Sequence, residues 1–330
     1  MEADTRMRVV SLIAVTVMAV GVAACSAGGE HQQQAAARAA ISAAPRPSAT
    51  PATPSPSVTP QIQVAGAPSK VKARGAVLAD AATGQVLWSR DLNAERPMAS
   101  VTKVMTALLV LQAGHLGQQI RIPKAAFVYA WKNGGESAAL HPGDTLTAQQ
   151  LLPALLLPSG ADAAYTLADV YGPGLNAFVA KMNATAAQMG MTHTHFTSPD
   201  GLPYPTETAT YSTPSDLLTL GLTAMKYPVF RSIVDLRFYN LPKGRGHHHY
   251  WWDNTDGLIG SYQGAMGIKT GYTDVAKHCL LFEASRNGRT LIGAVLGSPT
   301  TGVNAGVHDA EKMLNWGFGL PPASASASPS

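Results

Sequence analysis

The sequence predicts an α+β fold in which helices cover an antiparallel sheet and a helical lobe is inserted between its first and later strands. Strand patterns stand at both ends of the foldable part of the chain, whereas helical patterns fill its middle. The apolar runs 75–80 and 85–89 flank a turn that ends at Gly84 and predict a hairpin. The runs 279–285 and 290–296 are joined by Arg-Asn-Gly-Arg and predict a second hairpin.

The intervening elements follow from apolar periodicity and from residues that begin or end helices. Gly114 ends a strongly apolar helix, Thr147 can cap the start of another, and Pro158 breaks the helix that Thr147 begins. Strands are predicted over 120–127 and 138–140 and from residue 267 to 271. Helices are predicted over 101–113, 147–157, 161–170, 176–189, 213–224 and 306–316.

The N-terminus has the pattern of a secretory leader. Arg6 and Arg8 precede an apolar run, 9–24, that is too short and too rich in small residues for a comfortable membrane span. The run ends in Val-Ala-Ala-Cys, which resembles a bacterial lipoprotein box. That resemblance implies cleavage before Cys25 and a lipid on its thiol, which would tether the protein to the outer face of the cytoplasmic membrane. An ordinary secretory signal and an uncut anchor are the alternatives.

Composition divides the chain into four parts. Residues 1–24 form the predicted signal peptide, and residues 25–70, nearly all Ala, Pro, Ser, Thr, Gly and Gln, are predicted to be a disordered tether. Residues 71–320 have the length and apolar content of one large domain, and residues 321–330 repeat the composition of the tether. Because the chain ends soon after Trp316, we expect no additional C-terminal β-rich domain.

Charge and cysteine content limit the function classes. The formal net charge of +4 is modest and not clustered, which argues against nucleic-acid binding and suits an anionic cell wall or a carboxylate substrate. Cys279 is the only cysteine of the predicted domain, so no disulfide can form within it. The apolar neighbours of Cys279 predict a buried thiol.

A serine and a lysine three residues apart open the first long apolar helix. Residues at this spacing share a helix face, so the amine of Lys103 can lie beside the hydroxyl of Ser100. A serine needs such a base to act as a nucleophile, and burial would lower the pKa of the lysine towards a neutral, base-competent form. The start of the helix also leaves the Ser100 N–H free to stabilise an oxyanion.

Two further motifs supply the remaining parts of an acyl-transfer site. Ser159 follows the predicted helix break and can present its hydroxyl to a cleft. On the predicted strand, Lys269 can attract a substrate carboxylate and Thr270 can hydrogen-bond it. Gly271 leaves room for a backbone to approach, and the N–H of Tyr272 is a second candidate oxyanion donor. Each motif alone is more often an ordinary turn or cap, but the set is typical of penicillin-recognising serine enzymes.

The order and spacing of these motifs resemble those of the low-molecular-mass D-alanyl-D-alanine carboxypeptidases, the serine-type penicillin-binding proteins. The likeness extends from Gly75 to Trp316 and includes Pro-Met-Ala-Ser-Val-Thr-Lys at 97–103, Leu-Leu-Pro-Ser-Gly at 156–160 and Gly-Ile-Lys-Thr-Gly-Tyr-Thr at 267–273. It implies a fold similar to that of the serine β-lactamases. Such a fold has a five-stranded antiparallel sheet flanked by helices, an all-helical lobe, and a site between the two.

The resemblance also implies a reaction and its residues. Ser100 would be the acylated nucleophile, Lys103 its base and Ser159 a proton relay. Lys269 and Thr270 would hold the terminal D-Ala carboxylate of a peptidoglycan stem peptide. The enzyme would release the last D-Ala through an acyl-enzyme that water hydrolyses, with no metal or organic cofactor. β-Lactams, which mimic the substrate's dipeptide, would trap Ser100.

The chain departs from the family's Ser-x-Asn motif at Ala161. Losing one buried polar contact costs about 1–3 kcal/mol, or roughly ten- to a hundredfold in rate. Asp162 lies about 100° further round the helix and is not expected to replace the amide, and Asn254 is a second candidate amide. A penicillin- or stem-peptide-binding pseudoenzyme is therefore an alternative. A class A β-lactamase is another, disfavoured because residues 160–196 contain no glutamate for deacylation.

Three adjacent histidines, His247-His248-His249, suggest a metal site at first reading. Adjacent side chains on an extended segment point to opposite sides, so they do not converge on one ion. We expect instead a polar strand or hairpin tip near the cleft.

Overall fold

The structure, a computed structural model, describes residues 66–299 and 304–319. The predicted signal peptide, Cys25, most of the predicted tether and the C-terminal tail lie outside the described residues. The strands are β1 (Gly75–Asp80), β2 (Val86–Arg90), β3 (Arg96–Pro97), β4 (Gln119–Arg121), β5 (Thr145–Thr147), β6 (Tyr211–Ser212), β7 (Phe238–Leu241), β8 (Tyr250–Asp253), β9 (Ala265–Thr273), β10 (Lys277–Arg286) and β11 (Arg289–Ser298). The helices are α1 (Lys103–Ala113), α2 (Lys124–Lys132), α3 (Ala148–Leu156), α4 (Ala161–Tyr171), α5 (Leu175–Gln188), α6 (Pro214–Ala224), α7 (Pro228–Val234) and α8 (Ala305–Gly317).

Five strands form an antiparallel sheet in the order β2-β1-β11-β10-β9. The first hairpin therefore pairs with the last three strands, which confirms the predicted α+β architecture with an inserted helical lobe. Alternate strand residues point into two apolar layers. Val77 and Ile292 belong to the layer shared with the lobe, whereas Leu78 and Val295 belong to the layer that α8 covers.

Helix α1 lies at the centre of the lobe and packs against α3, α4, α5 and α6. Most of its side chains are buried, in keeping with its apolar sequence. Thr147 begins α3 through a capping box, in which its Oγ1 accepts from the N–H of Gln150 and the Gln150 side chain accepts from the N–H of Thr147. A short 3-10 helix, Ala99–Thr102, precedes α1 and packs against β9. The start of α1 is therefore held where the lobe meets the sheet.

The strand predicted over 120–127 is wrong for most of its length. Strand β4 ends at Arg121, and the residues after Pro123 form α2. The fixed φ of proline suits the start of a helix, and the alanines of α2 favour helix over strand. The end of the run is thus the first turn of α2, in which Ala126 is the buried residue.

Residues 138–140 were also predicted to be a strand and instead form an irregular segment. The N–H groups of Ala138 and Leu140 donate to the Asp162 carboxylate at 2.9 and 3.2 Å. Ala139 between them has a φ of +53°. Because a side chain satisfies these backbone donors, the segment needs no strand partner.

The three histidines lie at the tip of the β7–β8 hairpin, and their rings have separate partners. His247 Nδ1 lies 2.8 Å from the His248 carbonyl oxygen, His248 Nδ1 lies 2.9 Å from Asp144 Oδ1, and His249 Nε2 lies 2.8 Å from Asn240 Oδ1. In the part of the chain that the structure describes, no three metal-ligating side chains come together. Within residues 66–299 and 304–319, no helix is both long and apolar enough to cross a bilayer.

Candidate active site

Ser100 lies in the 3-10 turn that leads into α1, and Lys103 is the first residue of that helix. The Lys103 Nζ donates to Ser100 Oγ at 2.9 Å and to the carbonyl oxygen of Asp200 at 2.9 Å. The lysine is only 1% exposed, whereas Ser100 is partly exposed. This is the geometry of an accessible nucleophile beside a buried base.

The segment that holds the Lys103 amine is itself fixed against the start of α1. Thr106 Oγ1 donates to the carbonyl oxygen of Pro199, next to the oxygen that accepts from Lys103. Gly201 has a φ of +82°, and a Cβ at that position would overlap the carbonyl oxygen of Ala99. Only glycine allows this approach. The orientation of Lys103 therefore depends on a tertiary contact almost one hundred residues along the chain.

Ser159 connects α3 to α4 in a left-handed backbone conformation, with a φ of +65°. Its side chain is buried, yet its Oγ has no hydrogen-bond partner among the described residues. Buried hydroxyl groups normally have partners, and strained backbone conformations concentrate at functional sites. Because Ser159 lines the same cleft as Ser100, its unpartnered hydroxyl can form hydrogen bonds within the site.

Strand β9 is the edge of the sheet and carries the Lys-Thr-Gly motif on the cleft side. Lys269 is 1% exposed, and its Nζ donates to the carbonyl oxygen of Thr270 at 3.1 Å. The Thr270 hydroxyl lies 2.8 Å from the hydroxyl of Thr255. Tyr272 is 46% exposed at the mouth of the cleft. An edge strand leaves backbone groups free to pair with an extended peptide.

The fold brings these motifs to one cleft with a volume of about 490 Å³. The polar side chains that line this cleft are of the kinds that an acyl-transfer reaction needs. The two buried lysines, Lys103 and Lys269, lie next to the cleft. The lining residues relevant here are Ser100, Glu136, Ser159, Thr255, Thr270, Gly271 and Tyr272.

Burial changes the proton affinity of both lysines. Burial lowers the pKa of Lys103 to about 8, although nearby carboxylates, Asp200 first, oppose the change. Burial, and then the positive charge of Lys103, lower the pKa of Lys269 to about 7 against the opposing charge of Asp256. Burial also raises the pKa of Asp256 to about 6. Protonation of one lysine therefore disfavours protonation of the other, and the cleft can hold a neutral amine near neutral pH.

Ala161 stands at the first turn of α4 and is fully buried. Its N–H donates to the carbonyl oxygen of Glu136 at 2.7 Å. Asp162 does not replace the missing amide, because its carboxylate binds the 137–140 segment. Asn254 does not reach the cleft either, since its amide donates to the carbonyl oxygens of Val234 and Leu236.

Three residues of the site were missed from the sequence. Thr255, which immediately follows the candidate Asn254, lines the cleft and contacts Thr270. Asp200 was missed because its backbone oxygen, not its side chain, accepts from Lys103. Glu136 lies in a segment wrongly expected to lead into a strand, and only the folded chain brings it to the cleft.

A serine and lysine at the start of a buried helix, a second serine between helices, and a Lys-Thr-Gly edge strand define an active-serine, penicillin-recognising enzyme. The comparisons identify the family. Residues 61–300 match the family model described as D-alanyl-D-alanine carboxypeptidase. A D-alanyl-D-alanine carboxypeptidase of Streptomyces sp. strain K15 is 42% identical over 250 residues, covering 72% of this chain and 84% of the relative. The carboxypeptidase DacB2 of Mycobacterium tuberculosis is 39% identical over 247 residues, covering 74% and 82%.

Solved structures agree with this result. The crystal structure of the Streptomyces K15 DD-transpeptidase has a TM-score of 0.71 at 40% identity, covering 76% of this chain and 98% of that chain. A penicillin-binding protein homologue of Mycobacterium tuberculosis has a TM-score of 0.70 at 36% identity, covering 81% and 100%. The chain belongs to the D-alanyl-D-alanine carboxypeptidase family, whose members are extracytoplasmic, penicillin-binding serine enzymes of the cell wall.

Proposed function

We propose that Ser100 carries the carboxypeptidase reaction on peptidoglycan stem peptides, with Lys103 as its base. The observation that supports this most directly is the 2.9 Å contact between the Lys103 Nζ and the Ser100 Oγ in a cleft that also holds Ser159 and Thr270. A buried amine with a lowered pKa can accept a proton at neutral pH, which an exposed lysine does poorly.

The proposed acylation step moves one proton and exchanges one bond. Lys103 takes the Ser100 proton as the serine oxygen bonds to the carbonyl carbon of the penultimate D-Ala. The backbone N–H groups of Ser100 and Tyr272 stabilise the oxyanion of the tetrahedral intermediate. The peptide C–N bond then breaks, and Ser159 relays the proton held by Lys103 to the departing amine of the terminal D-Ala, which leaves Lys103 neutral again and Ser159 unchanged. Water hydrolyses the resulting ester and restores the Ser100 hydroxyl.

The substrate's own carboxylate helps to set the protonation state of the site. Lys269 and Thr270 are proposed to bind the terminal carboxylate, which favours a charged Lys269. Because the charges of the two lysines repel, a proton held on Lys269 disfavours one on Lys103. Substrate binding thus leaves Lys103 neutral and ready to act as the base. A peptide with an amidated C-terminus lacks this effect and is expected to acylate Ser100 slowly.

We further propose that Cys25 carries the lipid anchor and that residues 25–70 tether the domain outside the membrane. This proposal rests on the leader and lipobox-like sequence alone. The mass of the mature N-terminal peptide tests it directly. A peptide that begins at lipid-modified Cys25 supports the anchor, and an unmodified peptide that begins elsewhere contradicts it.

The function is tested by two measurements on the same protein. A D-Ala-D-Ala peptide reports D-Ala release, and a penicillin reports acylation through the increase in intact mass. We expect D-Ala release and a covalent adduct, both abolished in Ser100→Ala and both retained in Ser232→Ala, an exposed serine of α7. An adduct on any other residue would refute the assignment of Ser100. Adduct formation without D-Ala release indicates a binding protein, and rapid penicillin turnover indicates a β-lactamase.

A further inference from the structure

Glu136 is the one glutamate among the residues that line the cleft of the described chain. It lies between α2 and the segment that Asp162 fixes, so its backbone is held at both ends of a short stretch. Its carbonyl oxygen accepts from the N–H of Ala161 at 2.7 Å. The main chain of Glu136 is therefore anchored at the position where relatives with a Ser-x-Asn motif carry the asparagine.

The side chain of Glu136, unlike its main chain, is free. The residue is exposed, and within residues 66–299 and 304–319 its carboxylate has no hydrogen bond or salt bridge. The carboxylates of Asp162 and Asp144, by contrast, accept hydrogen bonds that hold parts of the fold together. An unpaired carboxylate that faces a substrate cleft has no evident role in holding the fold.

The cleft consequently carries opposite charges at two places. When protonated, Lys269 supplies positive charge beside β9, and Glu136 supplies negative charge on the lobe side of the cleft. The electrostatic effect of Glu136 reaches both lysines and opposes the lowering of their pKa by burial. A ligand that complements this cleft has a carboxylate at one end and a cationic group further along its chain.

We propose that Glu136 is a specificity-determining residue that binds a cationic side-chain amine on the acyl-donor part of the substrate peptide. This inference rests on the proposed function, which directs the carboxylate of the peptide to Lys269 and its donor part towards the lobe. The amine that Glu136 selects belongs to the residue preceding the D-Ala-D-Ala dipeptide. Glu136 contributes charge to recognition and takes no part in bond making.

The test uses two peptides that differ only in acetylation of one side-chain amine, which removes its charge. Both have the sequence L-Lys-D-Ala-D-Ala with an acetylated α-amine, and the ε-amine is free in one and acetylated in the other. For the unsubstituted protein we expect kcat/KM to favour the free amine by about three- to fivefold, the size of a rim ion pair. The preference is expected to shrink at high salt because exposed charges are screened.

Glu136→Gln keeps the side-chain length and the backbone contact but removes the charge. We expect it to abolish the preference between the two peptides, and this ratio is the readout because the charge of Glu136 also acts on both lysines and so on the rates common to all substrates. Glu207→Gln, at an exposed position outside the cleft, is the matched control and keeps the preference. A preference that persists in Glu136→Gln, or one absent from the unsubstituted protein, overturns the inference. Equal slowing of both peptides and of penicilloyl-enzyme hydrolysis also overturns it, because that result assigns Glu136 to water activation.

Binding is measured separately from turnover by the ability of each peptide to slow penicillin acylation. If neither peptide releases D-Ala but the free-amine peptide protects better, and Glu136→Gln removes the difference, the proposed function fails and the specificity role of Glu136 stands. If D-Ala is released while both peptides protect and react equally, the specificity role fails and the proposed function stands.

Discussion

Gly271 of β9 passes directly against the backbone of Ser100. A Cβ at Gly271 would lie 3.0 Å from the Ser100 nitrogen and 2.7 Å from the carbonyl oxygen of Met98. Neither atom belongs to a flexible side chain, so the main chain itself would have to move. The absent side chain is what lets the strand that carries Lys269 and Thr270 approach the turn that carries Ser100.

Gly271→Ala is expected to separate β9 from Ser100 and so weaken oxyanion stabilisation. Overpacking of this kind costs about 1–3 kcal/mol, and we expect penicillin acylation and D-Ala release to fall about ten- to a hundredfold. Gly117→Ala is the control, because a Cβ there meets no atom within 4 Å. Stopped-flow acylation rates of both variants test this prediction, and circular dichroism checks that both are folded. A folded Gly271→Ala protein with an unchanged rate contradicts the role given to this contact.

Ser159 combines a strained backbone with a free hydroxyl, and two substitutions separate these properties. Ser159→Ala removes the hydroxyl and keeps the side chain that disfavours a φ of +65°. Ser159→Gly removes the hydroxyl and also relieves about 1–2 kcal/mol of steric cost. We expect both variants to lose about 10²–10⁴-fold in kcat/KM, as for a group that transfers protons, and the glycine variant to have the higher Tm. Retention of the wild-type rate by either variant would exclude a relay through this oxygen.

Local sequence carried enough information for the parts of the site whose geometry is local. The spacing of Ser100 and Lys103 on the start of one helix fixes their contact, because three residues make nearly one turn. Thr147 likewise identifies the start of α3, since its capping partner is only three residues away. The five-stranded sheet followed from a family resemblance that covered most of the domain.

The rest depends on contacts between distant residues, which no local pattern records. The sequence around residues 138–140 does not indicate that their N–H groups will donate to the Asp162 carboxylate instead of to a neighbouring strand. Those hydrogen bonds to Asp162, and the hydrogen bond from the Ala161 N–H to the Glu136 carbonyl oxygen, place Glu136 in the cleft. Asp200 is similar, because it is the backbone oxygen that binds Lys103, and an oxygen that every residue has leaves no signature.

The lowered pKa of the buried Lys103 amine leads to a prediction about stability as well as activity. Its folded pKa of about 8 lies below the value of 10.5 for an unperturbed lysine. The unfolded chain therefore binds the proton more tightly, so the free energy of unfolding is expected to rise with pH between about 8 and 10.5. Lys103→Met removes the titrating group, which should flatten this part of the pH profile while abolishing penicillin acylation.

Lys226→Met, at an exposed position after α6, is the matched control for the lysine prediction. It should leave both the acylation rate and the pH profile of unfolding unchanged. Urea titrations at pH 7, 8, 9 and 10 supply the measurement. Equal slopes for the wild-type protein and Lys103→Met in this window would show that the amine is not held neutral by burial.

Asp144 joins the loop before β5 to the β7–β8 hairpin and gives a pH effect of opposite sign. It accepts from the Tyr250 hydroxyl at 2.6 Å and from the His248 N–H at 2.8 Å, and the His248 ring lies 2.9 Å away. Burial alone would raise the pKa of Asp144, but these hydrogen bonds outweigh it and lower the pKa below its ordinary 3.8. The stabilisation is therefore fully present above pH 3.8 and is lost as the pH falls through the folded pKa.

Tyr250→Phe removes the strongest donor to that carboxylate with little change of shape. We expect the free energy of unfolding at pH 7 to fall by about 1.5–3 kcal/mol, as for a hydrogen bond to a charged group. The difference from the wild-type protein should shrink as the pH falls below 3.8, because protonation of Asp144 weakens the bond in the wild-type protein. Tyr204→Phe, at a tyrosine 68% exposed to solvent, should have no such effect. A Tyr250→Phe difference that stays constant from pH 7 to pH 2.5 would mean that the hydroxyl acts through packing or through the hydrogen bond that it accepts from the His141 N–H.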